Sequence, residues 1–142
     1  MNHVFFIVDG NRDIQILSYI IESIFPKDNK RFHYYIAYGF SGIISSIRPI
    51  LDLVSDDSKV IVVFDADTIN PSKVQEKIDF VNIQIENGVV DNRLLIIPFV
   101  PTIEGELQLD KSFPSIRSYL DKNKKFILEN VTIKRIINFI NS

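Results

Sequence analysis

The sequence predicts an α/β fold: a three-layer sandwich with a mainly parallel four-stranded sheet, followed by C-terminal helices. Three observations carry the prediction. Three short runs are dense in Val, Ile, Leu and Phe with no polar alternation, as in strands buried on both faces, and a fourth is aromatic. Between successive runs, apolar residues recur at helical spacing. Strands separated by helices close into parallel, right-handed units. The 142 residues hold 46% hydrophobic and 24% charged side chains, enough for one domain with one core and unlike a disordered chain.

The first run, Val4-Phe5-Phe6-Ile7-Val8, stops at the turn Asp9-Gly10-Asn11. Ile14, Leu17, Ile21 and Ile24 then mark one face of a helix that Pro26 ends. Phe32 to Tyr38 reads as an aromatic strand suited to a sheet edge. Gly39-Phe40-Ser41-Gly42 turns the chain into a second helix with Ile43, Ile47, Ile50 and Val54 on its stripe. Pro49 falls inside that helix and predicts a kink or two shorter pieces, since an interior proline costs about 3 kcal/mol. Lys59 to Phe64 is the third strand. Asn70 caps a third helix with Pro71 in its first position, carrying Val74, Ile78, Val81 and Ile85 and stopping at Asn87-Gly88. Leu94 to Val100 is the fourth strand. A short helix near 115–120 and a last one with Ile133, Ile136, Ile137 and Ile140 on one face complete the chain.

The composition excludes several chemistries. With no cysteine there is no disulfide, thiolate zinc site or cysteine nucleophile, and two histidines leave histidine-rich metal sites out of reach. No apolar run approaches the roughly 20 residues of a membrane span. Met1-Asn2-His3 lacks the basic start of a signal peptide, so a cytoplasmic protein away from membranes is expected. The net charge of −2 hides an asymmetry. Residues 1–110 carry 9 basic and 16 acidic side chains, residues 111–142 carry 7 basic and 2 acidic. One domain is therefore expected over 1–142, with a core at about 3–110 and a basic helical segment at 111–142. Its bland reading is a solvated helical face; its functional reading is contact with a polyanion.

Ligands of open α/β sheets lie beyond the carboxyl ends of the strands, and here those ends are acidic. Strand 1 ends in Asp9, with Asp13 one helical turn on; strand 3 ends in Asp65-Ala66-Asp67; strand 4 is followed by Glu104 and Glu106. Strand 2 ends at Gly39. Taken singly, each acid suits a turn or helix cap. Gathered together they repel unless their pKa values rise or a hard cation sits among them, and Mg²⁺ or Mn²⁺ suits carboxylate oxygens. Alternation along an extended chain puts Asp65 and Asp67 on one side.

Other motifs are near misses. Gly39-Phe40-Ser41-Gly42-Ile43 resembles a nucleophile elbow, but its fifth residue is Ile and both His3 and His33 precede Ser41, against the order that hydrolase fold needs. His33 reads as a strand side chain. Gly39, Ser41 and Gly42 suit a turn whose amides, at a helix N-terminus, hold a phosphate oxygen, or a plain Gly-Ser turn. Val63-Phe64-Asp65-Ala66-Asp67-Thr68 echoes the Asp-x-Asp of haloacid dehalogenase-type phosphatases and of nucleotide-sugar glycosyltransferases. The first family expects Thr or Val at Ile69; the second needs a longer chain.

Jointly, Asp9-Gly10-Asn11-Arg12-Asp13, Gly39 and Asp65-Ala66-Asp67 resemble the motifs of Toprim domains, the catalytic modules of topoisomerases, bacterial primases and several nucleases. Pro101-Thr102-Ile103-Glu104-Gly105-Glu106-Leu107 is similar to the later acidic motif of the overcoming-lysogenization-defect nuclease branch, with Glu104 the better match. The resemblance spans about residues 3–110 and implies Mg²⁺- or Mn²⁺-dependent hydrolysis or nicking of DNA or RNA. It implies Asp65 and Asp67 as metal ligands, with Asp13 and Glu104 directly or through water, and Asp9 as general acid/base or a further ligand. The family usually has glutamate in place of Asp9, and the missing methylene moves the carboxylate by about 1 Å, which slows proton transfer. Lys122, Lys124, Lys125, Lys134 and Arg135 are the expected nucleic-acid backbone contacts.

Phe6 to Asp13 and the helix after it also look like the first unit of a two-component receiver domain, with Asp65 as phospho-acceptor. The paired acids at the first strand and the late lysine of that family are missing. A non-catalytic Toprim-like or receiver-like interaction module is thus the second expectation. A protein partner or second copy would then dock on the Ile133, Ile136, Ile137, Ile140 stripe.

Overall fold

The computed structural model describes residues 2–85, 92–109 and 115–142. Four strands, β1 (Val4–Val8), β2 (Phe32–Ile36), β3 (Lys59–Asp65) and β4 (Leu94–Phe99), form one sheet in the order β2-β1-β3-β4. Every pairing is parallel, with Val4 opposite Phe32 and Lys59, and Val60 opposite Leu94. The aromatic β2 lies at an edge. The central β1 and β3 are the most buried strands because both faces are covered.

Alternate residues of the strands feed two cores. Phe6, Val8, Ile61, Val63, Ile97 and Phe99 face α1 (Asn11–Ile24) and the C-terminal helices. Ile7, Val60, Val62 and Phe64 face α2 (Phe40–Leu53) and α3 (Pro71–Ile85). The result is the expected three-layer sandwich. The third helix starts as read, with Asn70 Oδ1 accepting from the Ser72 amide at 3.0 Å and Pro71 in first place. The predicted stop at Asn87-Gly88 lies outside the described residues.

Two expectations need correction. Of the two outcomes expected at Pro49, a kink or two shorter pieces, the second is excluded, since α2 runs unbroken from Phe40 to Leu53. The carbonyl that loses its helical partner belongs to Ser45, and Ser45 and Pro49 are both exposed, where an unpaired carbonyl costs least. The isoleucine stripe of the last helix is not a docking face. Ile133, Ile136 and Ile140 of α7 (Val131–Asn141) are buried in the α1-side core, and Ile137 packs against it. Lys59 fixes the end of that helix, its Nζ donating to the carbonyls of Phe139 and Ser142 at 2.6 Å each.

Three further helices complete that layer. Two of them, α4 (Ile103–Glu106) and α6 (Lys124–Glu129), have no counterpart in the sequence reading, being too short to show a period. The helix expected near 115–120 is α5 (Ile116–Lys122), capped by Ser115. No described helix is long and apolar enough to cross a membrane.

Candidate carboxylate site at the sheet edge

The chain leaves β1 toward β2 on one side and β3 toward β4 on the other, so the carboxyl ends of β1 and β3 flank the switch point of the sheet. Backbone hydrogen bonds stitch the loops there. The Tyr38 amide donates to the Asp9 carbonyl, Ala66 to Phe99, and Asp67 to Pro101, all within 2.8–2.9 Å. The Val100–Pro101 peptide beside them is cis.

Each acid then takes a distinct environment. Asp13, in the first turn of α1, accepts the Gly10 amide at 3.0 Å, so it does cap its helix. Its carboxyl is nevertheless pushed above the ordinary range, by burial first and then by the charges of Glu104 and Asp9. Asp65 accepts the Ile103 amide at 2.8 Å. Burial, and the charges of Asp13, Glu104 and Asp67, outweigh that bond and push it up to about 6. Asp9 is exposed and has no side-chain partner among the described residues. Acids from the loops after β1, β3 and β4 therefore lie in one electrostatic neighbourhood.

Two cations and a turn complicate the picture. Arg12 Nε donates to Glu104 Oε1 at 3.1 Å, a contact between residues 92 apart in sequence. Lys77 of α3 lies 3.6 Å from Asp67 and donates to the Asp65 carbonyl at 3.4 Å. The same-side expectation for Asp65 and Asp67 fails, because Asp67 has φ +58° and leaves the extended alternation. Asp65 turns to Ile103 in the α1-side layer, Asp67 to Lys77 in the α3 layer. Among the described residues no group of three or more acidic or histidine side chains is placed to hold a metal ion.

Glu106 is not part of this neighbourhood's chemistry. Its two oxygens accept the Val100 amide and the Asn130 side chain, both at 2.9 Å, which ties the β4 exit to the cap of α7. Gly39 has φ +113°, a backbone that favours glycine, and the Ile43 amide donates to its carbonyl. Gly42 has a packing reason: a Cβ there would fall 1.9 Å from the Ala37 carbonyl oxygen. Ser41 is exposed at the start of α2. Lys122, Lys124, Lys125, Lys134 and Arg135 are all exposed on the C-terminal helices.

The chain was compared with protein-family models, curated proteins and solved structures. None matches. The site must therefore be argued from its own chemistry. Its donors are hard carboxylate oxygens, the set Mg²⁺ and Mn²⁺ prefer. Mg²⁺ is commonly held by one or two carboxylates with water and substrate phosphate completing the shell, so an all-protein cage is not required. Among the carboxylates acting on Asp65, Asp13 weighs most. Sequence reasoning missed Arg12 and Lys77. Arg12 stood unread inside the Asp9–Asp13 motif; nothing in the sequence signals where Lys77 reaches.

Proposed function

We propose that the carboxyl edge is a divalent-cation site at which a phosphodiester of nucleic acid is hydrolysed or nicked, as the resemblance to Toprim domains implies. The observation that carries the reading is the environment of Asp65, whose carboxyl is raised to about 6 by burial first and then by the charges of neighbouring Asp13, Glu104 and Asp67. Such repulsion is costly unless a cation relieves it.

Asp13 and Asp65 would hold Mg²⁺ or Mn²⁺, with Glu104 and Asp67 beside them. When bound, the ion supplies charge neutralisation for the phosphate oxygens. The chain's own groups do the rest. Asp9, exposed at the switch point, moves the proton, less readily than a longer glutamate. Arg12, half-exposed at the rim, offers a guanidinium fork to a phosphate oxygen. The exposed Lys124, Lys125, Lys134 and Arg135 add backbone contacts that specify no sequence.

The test is plasmid nicking in Mg²⁺ by the wild type and by the double variant Asp65→Asn, Asp67→Asn. Metal-stimulated nicking lost in the variant supports the reading; nicking that persists in the variant removes it. One observation favours the second reading, a non-catalytic interaction module: Arg12 and Lys77 already neutralise Glu104 and Asp67. Cation binding by a chain that cuts no nucleic acid would decide for that module.

A further inference from the structure

Beside Asp67, on the α3 side, the structure has an open cleft of about 580 Å³ between the first residue of α2 and the outer stripe of α3. Its walls are two aromatic rings. Phe40 and Phe80 lie with centroids 6.5 Å apart and planes within 27° of parallel, and Phe40 also makes an edge contact with Phe64, centroids 5.4 Å apart. Phe80 keeps 49% of its surface in water. Lys73, Lys77 and Phe80 fall on one stripe of α3, and the Lys77 ammonium stands 5.0 Å over the Phe40 ring. Phe40 is part-buried, but a ring left as exposed as Phe80 is an expensive way to finish a surface unless something flat covers it.

We propose that this cleft receives one unstacked nucleobase of a single-stranded nucleic acid, stacked against Phe80 and Phe40, while its phosphate runs toward the carboxylate edge. This rests on the reading of that edge as a phosphodiester site and adds the substrate class: a single or frayed strand rather than a closed duplex. A base inside a duplex shows only its edges and cannot cover a ring face, whereas every unstacked base has one to offer. Lys73 and Lys77 are balanced in the lining by Asp67 and Glu76. Ring contact rather than charge therefore supplies the affinity of this subsite, and its contribution is insensitive to salt, unlike that of phosphate contacts.

The chain has no tryptophan, so Phe80→Trp introduces a single indole reporter at the subsite. Titrating that variant with a short single-stranded oligonucleotide in Mg²⁺, as DNA and as RNA, is expected to quench the indole emission. Fluorescence anisotropy with the same labelled strand is expected to show Phe80→Ala binding about 5- to 100-fold more weakly than wild type. Phe80→Tyr, which keeps the ring, retains wild-type affinity and guards against a folding defect. A blunt duplex loses nothing in Phe80→Ala, and the fold-loss for the single strand is the same at low and high salt. An indole left unquenched at saturating strand, an unaffected Phe80→Ala, or an equal loss for duplex and single strand would each overturn the proposal. So would a wild type that binds no strand. Failure of the metal reading is separately visible: wild type would then show no thermal shift with Mn²⁺, whatever the indole emission does.

Discussion

Replacing Asp65 by Asn is expected to stabilise the metal-free protein at neutral pH. Asn keeps an oxygen for the Ile103 amide, which Asp65 accepts at 2.8 Å, and removes a charge made costly by burial and then by Asp13, Glu104 and Asp67. The folded carboxyl titrates at about 6 against an ordinary 3.8. The folded state thus binds the proton more tightly. That stability is complete below about 3.8 and is lost as pH rises through about 6. At about 1.4 kcal/mol per pH unit the whole interval amounts to about 3 kcal/mol. Asp65 is half-exposed, and solvent screening brings the figure to about 1–2 kcal/mol. Urea denaturation of wild type and variant at pH 4.5 and 7.5, in EDTA, reads it directly. The variant gains little at pH 4.5 and about 1 kcal/mol more at pH 7.5. Equal stabilities at both values, or a variant weaker at pH 7.5, would refute the claim that burial and neighbouring carboxylates raise Asp65.

Two other substitutions separate packing from chemistry. Gly42→Ala drives a Cβ to 1.9 Å from the Ala37 oxygen and is expected to cost about 2 kcal/mol or more in urea denaturation; a neutral substitution would mean α2 is free to shift. Glu106→Ala strips acceptors from the Val100 amide and the Asn130 side chain and is expected to cost about 2 kcal/mol while leaving the Mn²⁺ response intact. A lost Mn²⁺ response with unchanged stability would instead move Glu106 into the ligand set.

The central strands were legible because burial on both faces writes an unbroken apolar run, as in Val60 to Phe64, the edge strand β2 by its aromatic residues, and the helices because their stripes recur. Short α4 and α6 carry too few residues for any period to register. The carboxyl edge was legible as a set of acids, since parallel topology puts all strand ends on one side. Its finer geometry was not. A left-handed residue at Asp67 follows from how the loop is stitched to Pro101, and long-range side chains decide the rest. Arg12 meets Glu104 only because α1 and α4 share a layer. The α7 stripe was read correctly as apolar, but its partner is the chain's own sheet.

The most direct test of the account is the number of Mn²⁺ ions bound per chain, measured by titration calorimetry at pH 7.5. Wild type is expected to bind at least one, with Asp13→Asn and Asp65→Asn each abolishing that binding and Glu106→Gln retaining it. A wild type that takes up no Mn²⁺, or Asp13 and Asp65 variants that bind it as the wild type does, would contradict the cation site on which the proposed chemistry depends.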